Sequence, residues 1–174
     1  YVVYATTKPG AGMTKGTSSF LVPRDTPGLI VQRCNETLGG RFMNNGEIVF
    51  EDCAVPKDHC LVQDTALTKA GVYFRPGKII QAAKNLGIAV SAFEKTADYV
   101  QNYVQGGRPL IKHQAVAIRL AEMATKICAV RSLLNEASRA VDEGAPDAEA
   151  LVNMAKLFAS EEVFKVCQHA VELH

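Results

Sequence analysis

The side chains that could do chemistry are few. Glu94, Glu122 and Glu161 lie on stretches with helical periodicity, where they read as solvated carboxylates rather than as a positioned base. Arg75 and Lys78 flank Pro76 at the start of such a stretch. Cations there oppose the helix dipole, which favours a paired or functional role over a bystander one. His113-Gln114 follows Gly106-Gly107-Arg108-Pro109, and on residue type alone His113 is a surface or capping residue. The five cysteines, at 34, 53, 60, 128 and 167, include no C-x-x-C pair, and the four histidines keep no metal-ligand spacing. Neither a disulfide framework nor a zinc site is expected, and reduced, mostly buried thiols are.

The elements that must position these residues change character between about residues 60 and 76. Before that, β-branched and aromatic runs (Tyr1 to Tyr4, Phe20-Leu21-Val22, Leu29-Ile30-Val31, Ile48-Val49-Phe50) alternate with Pro9-Gly10, Pro27-Gly28, Gly39-Gly40 and Asn44-Asn45-Gly46. These predict antiparallel strands joined by turns. From Pro76, placed in a first helical turn, the apolar residues Ile79, Ala83, Leu86, Val90, Phe93, Ala97, Val100 and Val104 repeat every four and three positions. This helix is expected to stop near Gly106-Gly107. Val116, Leu120, Met123, Ile127, Val130, Leu134, Ala137 and Val141 repeat the pattern up to Gly144 and Pro146. Asp147 is the expected N-cap of a third helix. That helix is apolar around much of its circumference (Leu151, Met154, Phe158, Val163, Phe164, Val166, Val171) and is expected to be buried against several neighbours.

Composition narrows the classes of function. The 174 residues are 48% hydrophobic and 21% charged, with a net charge of +1. That is the profile of a folded core, with no excess of cations to replace the counterions of a nucleic acid or to seek a membrane surface. No apolar run is long enough to span a bilayer. The fold class expected is α+β: an antiparallel β segment over 1–63, then an all-α antiparallel, up-down helical bundle over 64–174. Three such helices leave apolar surface for a fourth helix or another subunit to cover. Tyr1 follows no initiator Met or leader, and the last helix lacks a stop signal, so both ends are expected to be cut from a longer protein.

Several strings, taken in order, resemble the flavin-dependent acyl-CoA dehydrogenases. Phe20-Leu21-Val22-Pro23 with Asp25-Thr26-Pro27-Gly28, then Leu38-Gly39-Gly40-Arg41 and Val49-Phe50-Glu51-Asp52-Cys53-Ala54-Val55-Pro56, are similar to part of that family's middle β-domain. Gln81-Ala82-Ala83 with Leu86-Gly87-Ile88-Ala89, Gly107-Arg108-Pro109-Leu110 with His113-Gln114, Leu120-Ala121-Glu122-Met123-Ala124-Thr125 and Ala155-Lys156-Leu157-Phe158-Ala159-Ser160-Glu161 resemble most of its C-terminal helical domain.

The resemblance implies FAD as cofactor, α,β-desaturation of an acyl-CoA thioester in fatty acid metabolism, and electron-transfer flavoprotein as electron acceptor. It also implies a homotetramer built as a dimer of dimers, in the bacterial cytoplasm or the mitochondrial matrix. It assigns flavin diphosphate contacts to Tyr103, Gln105, Arg108, His113 and Gln114, reaching into a neighbouring subunit. Tyr103 replaces the family's arginine and Gly106 its phenylalanine, with Arg108 offered as the compensating cation. Arg75 and Lys78 fall at substrate-contact positions, Lys78 where the family has arginine. One family position for the catalytic glutamate matches Gly77 and the other falls past His174, so no catalytic base is expected within this chain, which should not turn over alone. Phe42-Met43-Asn44-Asn45 falls where the family has small hydroxyl residues facing the acyl or flavin region, which implies an unusual acyl group or a different turn, the turn being favoured. The alternatives are another flavoenzyme on this fold (an oxidase, desulfinase or nitroalkane-oxidase type) or a non-catalytic oligomerising module.

Overall fold

The computed structural model describes residues 1–71 and 74–174. It divides into two compact units, Tyr1–Val72 and Tyr73–His174.

In the first unit, β1 (Val2–Thr6), a single turn of helix α1 (Met13–Gly16) and β2 (Thr17–Leu21) precede β3 (Leu29–Asn35), β4 (Asn45–Phe50) and β5 (Cys60–Val62). β2 pairs antiparallel with both β1 and β5, with Val3 opposite Phe20, and β3 pairs antiparallel with β4, with Ile30 opposite Val49. The strands follow the β-branched runs. Pro27-Gly28 forms the predicted turn, with Leu29 N–H donating to the Thr26 carbonyl at 3.1 Å and Gly28 at φ 85°. A Cβ on Gly28 would also come 2.0 Å from the Glu51 carbonyl oxygen, so only glycine fits. The expected turn at Asn44-Asn45-Gly46 is corrected: Asn45 and Gly46 already pair with Asn35 and Cys34, and the chain reverses over 36–44. Phe42 lies fully exposed on that reversal, and Met43 N–H closes a tight turn on the Gly40 carbonyl at 2.8 Å.

Polar groups are buried in this unit because they satisfy one another. The Ser18 hydroxyl accepts from Asp64 N–H at 2.8 Å and lies 2.7 Å from the Thr7 hydroxyl. Thr7 in turn donates to the Asp64 carboxylate at 3.2 Å, and Lys8 closes the cluster on Asp64 at 2.5 Å. Lys8 holds the Asp64 carboxyl below its ordinary range.

The second unit is the helical bundle. α2 (Ala66–Asn102) starts ten residues earlier than the apolar period predicts and keeps Pro76 inside it. Proline lacks the N–H for one rung of the ladder, and the 37-residue helix continues through it. After α2 come a two-residue-strand hairpin, β6 (Val104–Gln105) and β7 (Arg108–Pro109), then α3 (Gln114–Asp142) and α4 (Ala148–Leu173). The core contacts run in opposite senses along neighbouring helices. Ala89 and Val100 meet Leu120, Met123, Val163 and Val166, while Ala82 meets Val130, Leu134 and Ala159. Rising numbers on α2 face falling numbers on α3 and rising ones on α4, which is the up-down arrangement expected.

The α3 stripe falls where the spacing puts it, with Leu120, Met123, Ile127, Val130, Leu134 and Ala137 all buried. The α2 stripe is displaced. Ala82, Ala89 and Thr96 have no exposed surface, whereas Ala83 and Val104, counted on the predicted face, are exposed. The small side chains are the most deeply buried on this face, and the larger Leu86, Val90 and Phe93 pack against the core beside them. Thr96 is admitted because its hydroxyl donates to the Ala92 carbonyl at 2.8 Å. α4 also departs from expectation. Its inner face is Ala148, Val152, Ala155, Ala159, Val163, Val166 and Ala170, and Met154, Leu157, Phe164 and Val171 are exposed within this chain.

Gly144 ends α3 at φ 67°. Its N–H donates to the Val141 carbonyl at 3.2 Å, and Ala145 N–H donates to that of Ala140 at 2.8 Å, a Schellman closure. Asp147 occupies the N-cap position of α4 without capping it, since its side chain makes no such bond. All five cysteines are free, as expected, but they are not mostly buried: Cys34 and Cys128 are exposed and the other three half-buried. Burial raises the Cys167 thiol above its ordinary range.

Met123 is fully buried and Gly77 is an exposed helical glycine with nothing near the place of a Cβ. Met123→Ala should therefore lower unfolding free energy by about 2–5 kcal/mol. Gly77→Ala should raise it by about 0.5–1 kcal/mol. Urea unfolding followed by circular dichroism measures both.

Candidate functional site

The residues expected to contact a cofactor converge on the hairpin between α2 and α3. The sequence reading has α2 running to Gly106-Gly107. Instead the helix ends at Asn102, and the two glycines, at φ 64° and 79°, form the tip of a hairpin in which Gln105 pairs with Arg108. Two successive positive φ values define the type I′ turn that matches strand twist, and two glycines supply it without strain. Leu110 N–H donates to the Tyr103 carbonyl at 2.9 Å and fixes the base of the hairpin.

Tyr103 stacks on Tyr99 with ring centroids 5.0 Å apart, and Tyr99 stacks in turn on His174 at 4.5 Å. Tyr103 still keeps 47% of its surface exposed. His113 occupies the N-cap position of α3, and its carbonyl accepts from Val116 and Ala117 at 3.0 and 3.1 Å. Its ring does not cap the helix. It turns back to the hairpin, with Nε2 3.0 Å from the Gln105 carbonyl oxygen and Nδ1 3.4 Å from the Arg108 guanidinium. Arg108 and Gln114 are exposed, and among the described residues the Gln114 side chain has no hydrogen-bond partner.

Arg75 and Lys78 lie elsewhere. They are well inside α2 rather than at its start, so the dipole argument does not apply to them. Each is tied to the beginning of α4, Arg75 to the Glu149 carboxylate at 3.1 Å and Lys78 to the Asn153 side-chain carbonyl at 2.7 Å. From Lys78 to Asn102 the helix rises about 36 Å, so these cations and the hairpin occupy opposite ends of the bundle.

The acids follow the same logic. Glu94 and Glu161 are exposed, and Glu122 pairs with Arg119 at 3.1 Å on the surface. Sequence reasoning missed Glu162, the one buried carboxylate among the described residues. It accepts from Lys126 and, at 2.5 Å, from Lys165, and so joins α3 to α4. Its signal was positional, since Glu162 falls in the run Ala155, Ala159, Val163, Val166 that faces inward. Lys126 first, then Lys165, holds its carboxyl below the ordinary range. Among the described residues no group of three or more His, Cys, Asp or Glu could hold a metal, and no helix is long and apolar enough to cross a membrane.

The hairpin segment 103–114 carries Arg108 and Lys112 and no carboxylate. Exposed cationic and amide donors without a competing acid suit a phosphate-bearing ligand. The donor set is therefore compatible with the diphosphate of FAD.

Residues 69–174 match the profile described as "Acyl-CoA dehydrogenase, C-terminal domain". An acyl-CoA dehydrogenase of Bacillus subtilis is 34% identical over the whole chain, which covers 46% of that protein. The solved butyryl-CoA dehydrogenase of Megasphaera elsdenii superposes with a TM-score of 0.90 at 31% identity, over 99% of this chain and 45% of its own. A structure of PigA with FAD and proline superposes with a TM-score of 0.91 at 28% identity, over 99% and 45%. The chain belongs to the acyl-CoA dehydrogenase family, with the α+β fold and helical C-terminal domain of that family. It spans less than half the length of these relatives.

The Glu162 cluster generates a prediction with a defined sign. A carboxyl held low in the folded state stabilises fully above its unfolded pKa, about 4.3, and the contribution is lost as pH falls through the lower folded value. Glu162→Gln should lower stability by about 1–3 kcal/mol at pH 7. The gap from the wild type should narrow as the pH falls below the ordinary carboxyl value and through the lower folded one. Thermal melting between pH 7 and 3 reads both.

Proposed function

We propose that this chain supplies part of the middle β-domain, over 1–63, and most of the C-terminal bundle, over 64–174, of an FAD-dependent acyl-CoA dehydrogenase. The enzyme would desaturate an acyl-CoA thioester between Cα and Cβ and pass electrons to an electron-transfer flavoprotein. Family membership supports the reaction class. The observation that carries the cofactor reading is the acid-free hairpin, with Arg108, Gln105 and Gln114 presented together at one end of the bundle.

When bound, flavin supplies a two-electron acceptor for the hydride that leaves Cβ. The chain's own residues do the holding. Arg108 donates charge-assisted hydrogen bonds to the diphosphate in place of the arginine that Tyr103 replaces, a contact worth about 1.5–3 kcal/mol. Gln114 and Gln105 add neutral donors, and the Tyr103 ring stands where the missing arginine would be. At the other end Arg75 and Lys78 meet the CoA phosphates, sharing their present partners Glu149 and Asn153. The roughly 36 Å between the two ends supports a hairpin that serves the flavin of a neighbouring copy. The exposed Met154, Leu157, Phe164 and Val171 on α4 support a homo-oligomer, a dimer of dimers. The base that takes the α-proton is placed outside this chain, since Gly77, which matches one family position for it, has no side chain. The bacterial cytoplasm or mitochondrial matrix is the compartment that fits the family reading.

A second reading keeps fold and flavin and changes the substrate, and it is favoured by the likeness to PigA with FAD and proline. Absorbance of the purified protein carrying this chain, before and after a panel of acyl-CoA thioesters, separates the readings. Dehydrogenation predicts a flavin band near 450 nm that bleaches with one thioester class. A flavin band that no thioester bleaches favours the second reading, and a colourless protein overturns both in favour of an oligomerising module.

A further inference from the structure

The two ring nitrogens of His113 face groups of opposite kind. Nε2 lies 3.0 Å from the Gln105 carbonyl oxygen, which can only accept, so Nε2 carries a hydrogen. Nδ1 lies 3.4 Å from the Arg108 guanidinium, which can only donate, so Nδ1 presents its lone pair. Both neighbours demand the same neutral tautomer. The ring also packs beneath the turn: a Cβ on Gly106 would lie 3.5 Å from Cε1. With both nitrogens engaged inside the chain, the imidazole has no hydrogen-bonding atom left for a ligand. Arg108 is in the opposite situation. One of its donors is held by His113, the side chain is exposed, and among the described residues it pairs with no carboxylate.

We propose that His113 is a positioning residue for Arg108: it ties the hairpin strand at Gln105 and orients the guanidinium, and Arg108 alone of the pair meets the ligand's phosphate. The inference rests on the reading that this hairpin holds the FAD diphosphate. It changes the role of His113 from a direct contact to one that acts through Arg108. The physical advantage is pre-organisation, because an arginine fixed at one donor loses less rotamer freedom when the others bind. A hairpin that carries tyrosine where its family carries arginine has use for such a support.

The test is a double-mutant cycle in the protein carrying this chain, read as FAD affinity by fluorescence titration of the apoprotein. Arg108→Gln should weaken FAD about tenfold or more, and His113→Leu about three- to tenfold. The double variant should be little weaker than Arg108→Gln alone, because without the guanidinium His113 keeps only its tie to the Gln105 carbonyl. His113→Asn keeps an acceptor near the place of Nδ1 and should recover most of the loss. Wild-type affinity should fall with salt, and both single variants should flatten that slope together. Losses that multiply in the double variant, or a His113→Leu variant that keeps the wild-type salt slope, overturn the proposal. Nitrogen-15 spectra of the imidazole without FAD read the tautomer directly: a protonated Nε2 and bare Nδ1 are expected, and a protonated Nδ1 overturns the proposal even if the leucine variant fails to fold. A wild type that takes up no FAD, or an Arg108→Gln variant that binds it normally, sinks the reading of the hairpin itself, and this proposal with it.

Discussion

The bundle depends on how closely three helices can approach. Ala82, Ala89 and Thr96 repeat every seven residues along α2 and have no exposed surface. At two of those points the helix presents only a methyl group, and at the third the Thr96 hydroxyl turns back to the Ala92 carbonyl. The facing stripe on α3 is built from larger groups, Leu120, Met123, Ile127, Val130 and Leu134, which fill the space the small residues leave. α4 repeats the device with Ala155 and Ala159. Small residues on two helices and large ones on the third give a seam that fixes both spacing and register. Only one buried charge interrupts it among the described residues, and Glu162 carries two lysines to offset its desolvation.

The end of that seam sets the site. α2 and α3 are held together through Val100 and Leu120, so the eleven residues between them have little freedom to wander. They close as a hairpin because Gly106 and Gly107 accept positive φ, and the hairpin brings Gln105 and Arg108 side by side. His113, at the first turn of α3, then has both within reach of one ring. A surface loop thus acquires a fixed geometry from the helices that bracket it.

Much of this was legible in the sequence, and the failures have identifiable causes. The α3 stripe could be read directly because its inward residues are large and apolar. On the α2 stripe the larger residues Ile79, Leu86, Val90, Phe93 and Val100 are legible, while Ala82, Ala89 and Thr96 are not, because alanine and threonine carry little signal although they lie deepest. Pro76 reads as a first-turn residue because proline is common there, and local chemistry alone does not reveal that a long helix contains it. The glycine pair was legible as a stop and not as a hairpin tip, because the deciding fact is that α3 returns beside α2. For the same reason Arg108, His113 and Gln105 could be named singly, through family resemblance, while their mutual contacts could not. Glu162 has the residue type of a surface acid, and only its place in the inward run Ala155, Ala159, Val163 and Val166 distinguishes it.

Hydrogen exchange at single-residue resolution, with and without FAD, tests the central claim that this hairpin is the part of the bundle that meets the cofactor. The account predicts that FAD slows exchange at Gln105, Gly106, Gly107 and Arg108 and at the first turn of α3. The amides around Ala137 and Val152, at the far end of the same helices, should be unchanged. Protection spread evenly over the bundle, or absent from residues 105–108, would contradict it.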